Sequence, residues 1–400
     1  MRLLKKFAPA ERARKLKYAI RDVAILANKI EKETGEKVIR LNIGDPTYFD
    51  FDVPNHIKEA LCEATREGKN AYTPSTGVPE LKEAILKREK RDNGISASMD
   101  DVFVTNGLSE AIMAIYAGAF NDGDKILVPS PSYPPYISAA HFLGIEPVEY
   151  ATLEEENWQP DIDDIRRKID DKVKAIVVIN PNNPTGAVYE RKTLEEIASI
   201  AGEHDLFIIS DEIYDRIVFE GTKAPSMGNI APDVPKLILN GFSKVYLATG
   251  WRAGYVIRVD ENDALSDVWE AIMKFLLIRI SGVAPVQYAL IKALEGPHDF
   301  LKDYISKLRD RMEYSYKRIN EISGLSVVKP QGALYIFPRI LDKRYLDDFK
   351  FVTELLRQYK VLVVHGSGFG SMGAQHFRAV FLPDKNILRE AYDRIEKFLS

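Results

Sequence analysis

The chain has 400 residues, 46% of them aliphatic or aromatic, and a formal net charge of −4. That length buries a large core and favours two domains over one, while the lack of a basic excess argues against a nucleic-acid partner. Cys62 is the sole cysteine, so an intrachain disulfide and a Cys-based zinc site are both excluded, and the histidines at 56, 141, 204, 298, 365 and 376 show no metal-ligand spacing. No metal is expected. The basic N-terminal stretch lacks the apolar core of a secretory signal and no run reaches membrane-spanning length, so a cytoplasmic protein without a membrane partner is expected.

In chain order, Ile20, Val23, Ala27 and Ile30 fall at spacings of three and four, which predicts a helix over 16–33. A short strand over 38–43 then ends at Gly44-Asp45-Pro46, whose Gly and Pro mark a turn. Residues 58–67 read as a helix. The following NAYTPSTGVP at 70–79 is a loop carrying one exposed-looking aromatic, Tyr72. From about 80 to 260 the rhythm changes. Apolar runs without polar alternation at 102–105, 126–128, 175–179, 207–209 and 237–239 read as strands covered on both faces. Helical spacing between several of them, at 109–120 and 193–204, predicts a largely parallel α/β sheet. The run 255–259 follows 237–239 without room for a crossover helix, so it is expected to be antiparallel or an edge strand. The remainder reads as long helices with strands at 334–337, 361–364 and 377–381. It is expected to form a smaller domain that also recruits the N-terminal segment.

Ligands of open α/β sheets bind beyond the carboxyl ends of the strands. Here those ends read Asn106-Gly107-Leu108-Ser109, Pro131-Ser132-Tyr133, NPNNPTG at 180–186, Ser210-Asp211-Glu212-Ile213-Tyr214 and Gly241-Phe242-Ser243-Lys244. Together they supply a helix start, an aromatic face, an amide, a shielded carboxylate with a phenol three residues on, and a lysine. Pyridoxal phosphate needs that combination. Free backbone N–H groups of Gly107, Leu108 and Ser109 suit its phosphate, but a helix end holds charge by at most about 2 kcal/mol. Arg252 is expected to add a charge-assisted contact of roughly 1.5 to 3 kcal/mol. Asp211 suits the ring nitrogen, Tyr214 and Asn183 the ring hydroxyl, and Tyr133 the ring face. Lys244 lies just past a buried strand end with Arg252 nearby, and both influences are expected to lower its pKa and leave a nucleophilic amine. Read singly, Asp211-Glu212 is equally a helix cap, NPNNPTG a turn and Tyr133 a core aromatic. Their joint occurrence at successive strand ends is what carries the cofactor reading.

The motifs LNIGDP at 41–46, PSYPPY at 131–136, NPNNPTG, DEIY at 211–214, SKxxxxTGWRxGY from Ser243 to Tyr255 and HFRAVF at 376–381 resemble those of the class I pyridoxal-phosphate aminotransferases over nearly the whole chain. YAIRDV at 18–23, QPDIDDIR and HGSGFG are similar to the alanine aminotransferases of bacteria and archaea. The resemblance implies fold type I: a large domain over 61–290 with a mostly parallel seven-stranded sheet, and a smaller α+β domain from 1–60 and 291–400. It implies ping-pong transfer from L-alanine to 2-oxoglutarate, with Lys244 holding the cofactor and moving the proton, aided by Asp211 and Tyr214. Ser243 joins the cofactor contacts. Arg378 would grip the substrate carboxylate, with Gly44, Asn183 and Tyr18 beside it, and Tyr72 would reach the neighbouring subunit's cofactor in a homodimer. For a second carboxylate, Arg21 and Arg279 are the candidates, and either could equally be a structural salt-bridge partner.

One departure is Gly241, where many relatives place a phosphate-donating serine; Ser109 and Ser243 are the available compensation. Gly368-Phe369-Gly370-Ser371-Met372-Gly373 matches a dinucleotide fingerprint, but a strand rather than a helix follows it, which argues against a nicotinamide enzyme. The alternatives kept open are an aspartate or broad-specificity aromatic aminotransferase and a pyridoxal-phosphate lyase. A non-catalytic regulator would need a DNA-binding module for which the chain has no room.

Overall fold

The run Ala175-Ile176-Val177-Val178-Ile179 has no polar face to turn toward water, so both of its faces must be covered. Ile176 and Val178 enter one core and Ala175, Val177 and Ile179 the other. Leu237, Ile238 and Leu239 divide in the same alternating way, as the two-residue period of a strand requires. The computed structural model describes residues 7–14, 16 and 19–400.

Among the described residues the main sheet has eight strands. Their order across it is Val102–Thr105, Gly254–Val259, Lys236–Gly241, Phe207–Asp211, Val173–Ile179, Lys125–Ser130, Glu146–Leu153 and Gln159–Pro160. The strands from Lys236–Gly241 to Glu146–Leu153 pair in parallel. The strand Gly254–Val259 is antiparallel to both its neighbours and is not at an edge, which resolves the two options left by the sequence. The eighth strand is the two-residue Gln159–Pro160, laid antiparallel on Glu146–Leu153 at the edge, where a proline lacking an N–H is tolerated. It is the difference from the expected seven.

Smaller sheets are built from the C-terminal third. Tyr335–Ile336 and Val364–His365 flank Phe377–Val380, all antiparallel. The expected strand over 38–43 shortens to Ile39–Arg40 and pairs in parallel with Val361–Leu362. It is preceded by the helix Ala19–Thr34, and the segment after it places Leu41 O as acceptor for Val380 N at 2.8 Å. The N-terminal segment is thereby stitched to the C-terminal strands. The glycine-rich run at 368–373 forms short 3-10 turns, Gly366–Phe369 and Ser371–Gly373, and leads into the strand Phe377–Val380, with no helix start after it.

Candidate active site

Every parallel strand of the sheet delivers its carboxyl end to one side, and there a cavity of about 610 Å³ opens. Leu108, Ser109, Tyr133, Asn183, Asp211 and Tyr214 line it from the sheet side. Ser243, Lys244 and Arg252 follow from the next strand end, and Gly44, Arg21 and Arg378 close it from the opposite side.

Lys244 is half-buried, and its Nζ donates to Gly44 O at 2.7 Å. Gly44 has no room for a side chain, because a Cβ would collide with the Tyr335 hydroxyl. Asp45 Oδ1 accepts from Thr47 N at 3.0 Å and from Thr249 Oγ1 at 2.9 Å, tying this turn to the one that carries Arg252. Thr249 O in turn accepts from Arg252 Nη1 at 3.1 Å.

Asp211 ends its strand fully buried, and burial raises its pKa to about 6. Its Oδ2 accepts from Tyr136 Oη at 2.7 Å and its Oδ1 from Ile213 N at 3.2 Å, while the more distant Lys244 charge pulls the pKa back down. Both hydrogen-bond donors are neutral. Tyr136, on the helix Pro135–Phe142 within PSYPPY, is not among the expected site residues; its place just past a strand end is the one signal the sequence offers for it.

Asn183 Oδ1 accepts from Arg378 Nη1 at 3.1 Å, and Asn42 O accepts from Arg378 Nη2 at 2.8 Å. The Arg378 guanidinium, 1% exposed, lies 4.5 Å from the Tyr335 ring centre and 4.9 Å from that of Phe369. Tyr214 and Tyr335 share a hydrogen bond of 2.8 Å between hydroxyls. Tyr335 had no local signal, because its partner lies 121 residues away. Burial and the Tyr335 hydroxyl beside it hold the Tyr214 phenol well above its ordinary pKa, so it stays protonated at neutral pH.

At the other end, Gly107 precedes the helix Leu108–Ala119 at φ +80°, with no side chain capping the helix. A Cβ on Gly107 would strike the Arg252 guanidinium, which is pressed against this helix start. Arg252 itself adopts the left-handed region at φ +53° after the turn Thr249–Trp251. The pairing of a bare helix end with a guanidinium makes a cradle for a doubly charged anion.

Two candidates stand outside this cavity. Tyr72 is 83% exposed. Arg279 is committed elsewhere in its own chain: its Nη1 donates to Glu110 Oε2 at 2.8 Å and to Val104 O at 3.2 Å, and its Nη2 donates to Ser75 O. Tyr18 lies outside the described residues. Arg40 and Asn28 also line the cavity without having been anticipated. Arg40 Nη2 donates to Asn28 Oδ1 at 2.8 Å and to Glu31 Oε2 at 2.5 Å, fastening the helix that bears Arg21. No group of potential metal ligands occurs among the described residues.

The profile of the family described as "Aminotransferase class I and II" matches residues 36–395. A glutamate-pyruvate aminotransferase from Haemophilus influenzae is 39% identical, with 92% of each chain covered, and its Escherichia coli counterpart is 36% identical over 98% of each. The solved structure of an alanine aminotransferase from Pyrococcus furiosus superposes with a TM-score of 0.96 at 55% identity, covering 98% of this chain and 99% of that one. An aspartate aminotransferase from Thermus thermophilus, solved with maleate, superposes with a TM-score of 0.89 at 32% identity, covering 98% and 100%. With lysine, carboxylate and arginine brought to one strand-end cavity and a profile spanning nearly its full length, the chain belongs to the class I and II aminotransferases.

Proposed function

We propose that this aminotransferase works with pyridoxal 5′-phosphate and moves the amino group of L-alanine to 2-oxoglutarate, giving pyruvate and L-glutamate. The observation that carries the cofactor is Asp211. It is a fully buried carboxylate whose hydrogen bonds come from neutral donors and whose pKa is pushed up to about 6, which leaves it in want of a cation. A protonated pyridine ring supplies one. The helix start at Gly107 and the guanidinium of Arg252 suit the phosphate at the other end, and Lys244 lies between. When bound, the cofactor supplies an electron sink for charge developing at the substrate α-carbon.

The chain's own residues do the rest. With the cofactor bound, Asp211 would hold its ring nitrogen charged. Tyr214 and Asn183 would serve the ring hydroxyl. Lys244 Nζ would anchor the cofactor and then carry the α-proton, and its reach to Gly44 O puts it beside the turn facing Arg378. Arg378 binds the α-carboxylate, with its two aromatic neighbours keeping water off the guanidinium. Arg21, which lines the cavity, is the choice for the second carboxylate of 2-oxoglutarate. Alanine as donor is supported by the names of the relatives that match over nearly the full chain. A homodimer is supported by Tyr72, whose exposed ring suits a neighbour's phosphate, and by an apolar patch of Leu277, Ile278, Ile280 and Val283. A cytoplasmic location accords with the absence, among the described residues, of a helix long and apolar enough to cross a membrane.

The test is to give the loaded enzyme L-alanine alone. A transaminase completes one half-reaction and stops until 2-oxoglutarate is added, and Lys244→Ala does neither. Continuous turnover without an acceptor would instead indicate a lyase.

A further inference from the structure

The run Gly368 to Gly373 has no dinucleotide to bind, yet it is held more firmly than a passive connection needs. Glu149, on the strand Glu146–Leu153, accepts through Oε2 from both the N–H and the hydroxyl of Ser371, each at 2.6 Å. Ser130 Oγ, at the end of the adjacent strand, accepts from Met372 N at 3.1 Å. Ser132 N donates to Phe369 O at 2.7 Å. Gly370 lies between these contacts at φ +119°, and a Cβ there would fall 2.5 Å from Ser130 Oγ and 2.9 Å from Glu149 Oε2. The run can therefore lie flat on the strand ends only with glycine at that position.

What it carries there is Phe369. This ring is fully buried and forms one of the two aromatic walls of Arg378, with Phe337 behind it at 6.0 Å. The residue after Ser132 is Tyr133, which lines the cavity on the cofactor side. One strap thus spans the wall of the carboxylate-binding arginine and the loop of the stacking tyrosine; Asp348 holds its near end through Ser367 N at 2.7 Å and Ser367 Oγ at 2.8 Å, and Glu149, on a strand that enters no other part of the site, is the buckle of its far end.

We propose that Glu149 and Ser371 are positioning residues for substrate binding: their double hydrogen bond fastens the 366–373 strap so that Phe369 holds Arg378 in register with the substrate carboxylate. This rests on the reading of Arg378 as the carboxylate-binding residue. Loss of this buckle loosens the far half of the strap, Phe369 shifts on its remaining tethers at Ser132 and Ser367, and Arg378 samples orientations that do not face the substrate. Binding of every carboxylate substrate weakens while the chemistry at Lys244, whose contacts are elsewhere, proceeds at its usual rate once substrate is bound.

The experiment compares Glu149→Ala and Ser371→Ala with the parent holoenzyme. KM is read for both L-alanine and 2-oxoglutarate, and Kd for maleate, a non-reacting dicarboxylate, by spectral titration. Loss of a charge-assisted pair predicts that both KM values and the Kd rise on the order of tenfold in Glu149→Ala, with kcat unchanged within about twofold. Ser371→Ala, which keeps the peptide N–H and removes one donor, gives a smaller rise in the same direction. Unchanged KM and Kd in both variants, or a fall in kcat with KM intact, overturns the proposal. If Glu149→Ala does not fold, Ser371→Ala decides alone by the same readings. Arg378→Lys, run in parallel, separates the two levels: unaltered KM there removes the reading of Arg378 and the strap's role with it, whereas a raised KM there with unaltered strap variants removes only the strap.

Discussion

Asp211 is costly to keep ionised in the cofactor-free protein. Its folded pKa of about 6 stands above its ordinary 3.8, so the stability it contributes is fully present below pH ~3.8 and is lost as pH rises through about 6. A shift of roughly two units corresponds to something on the order of 3 kcal/mol. A cationic ring reverses the sign by favouring the carboxylate. Loading with pyridoxal phosphate should therefore raise Tm more at about pH 7.5 than at about pH 5, and Asp211→Asn should narrow the difference. Equal Tm gains at both pH values would refute this account of the carboxylate. Tyr136 restrains the pKa through its 2.7 Å hydrogen bond, so Tyr136→Phe should move the acidic limb of the kcat/KM profile upward; an unmoved limb would rule out that role. Asp211, Lys244 and Asn183 were legible because each ends a strand whose apolar run announces itself. Tyr136, Tyr335 and Arg40 were not, since a phenol or a guanidinium carries no periodic signal and its partner is fixed only by packing.

At the scale of elements, the pairing of Lys236–Gly241 with Gly254–Val259 sets what position 241 can hold. Gly241 faces Gly254 in register, and a Cβ on it would lie 2.9 Å from Gly254 Cα and 3.0 Å from Ala253 O. The missing serine is thus a matter of space: two strands approach too closely for a side chain, and in the proposed cofactor site the Gly107 helix start with Arg252 would hold the phosphate. Gly241→Ser should lower stability by about 1 to 3 kcal/mol through overpacking, read as a reduced midpoint in urea unfolding, and should not tighten cofactor binding. A variant of parental stability with tighter binding would contradict this. The strand Glu146–Leu153 escaped the sequence reading because Glu146, Pro147 and Glu149 break its apolar pattern; its parallel pairing with Lys125–Ser130 supplies the order that composition lacks. The expected strand over 38–43 shrank for a different reason, since after Leu41 the chain turns away to build the Gly44 corner.

Across the whole molecule, the apolar surface is unevenly spread. Ile278 is 82% exposed and Leu277 64%, at the end of the helix Ser266–Arg279, with Ile280 and Val283 beside them. The loop bearing Tyr72 is sewn to this region, with Ser75 Oγ donating to Ile280 O at 2.6 Å and Thr73 N to Ser281 Oγ at 3.0 Å. A second copy covering the patch would therefore hold Tyr72 in place as well. Ile278→Asp should shift the protein to a monomer by analytical ultracentrifugation and weaken cofactor retention together. A dimer that persists with full retention would exclude this face as the interface.

The pairing of Ile39–Arg40 with Val361–Leu362, and of Leu41 with Val380, has a consequence for biosynthesis. A nascent chain paused after its first three hundred residues already owns the amine and the acid, but Ile39 to Leu41 still lack the strands they pair with. Arg378 and the strands that pair with the early segment are made last, so the cavity can close only after the C-terminal strands have joined.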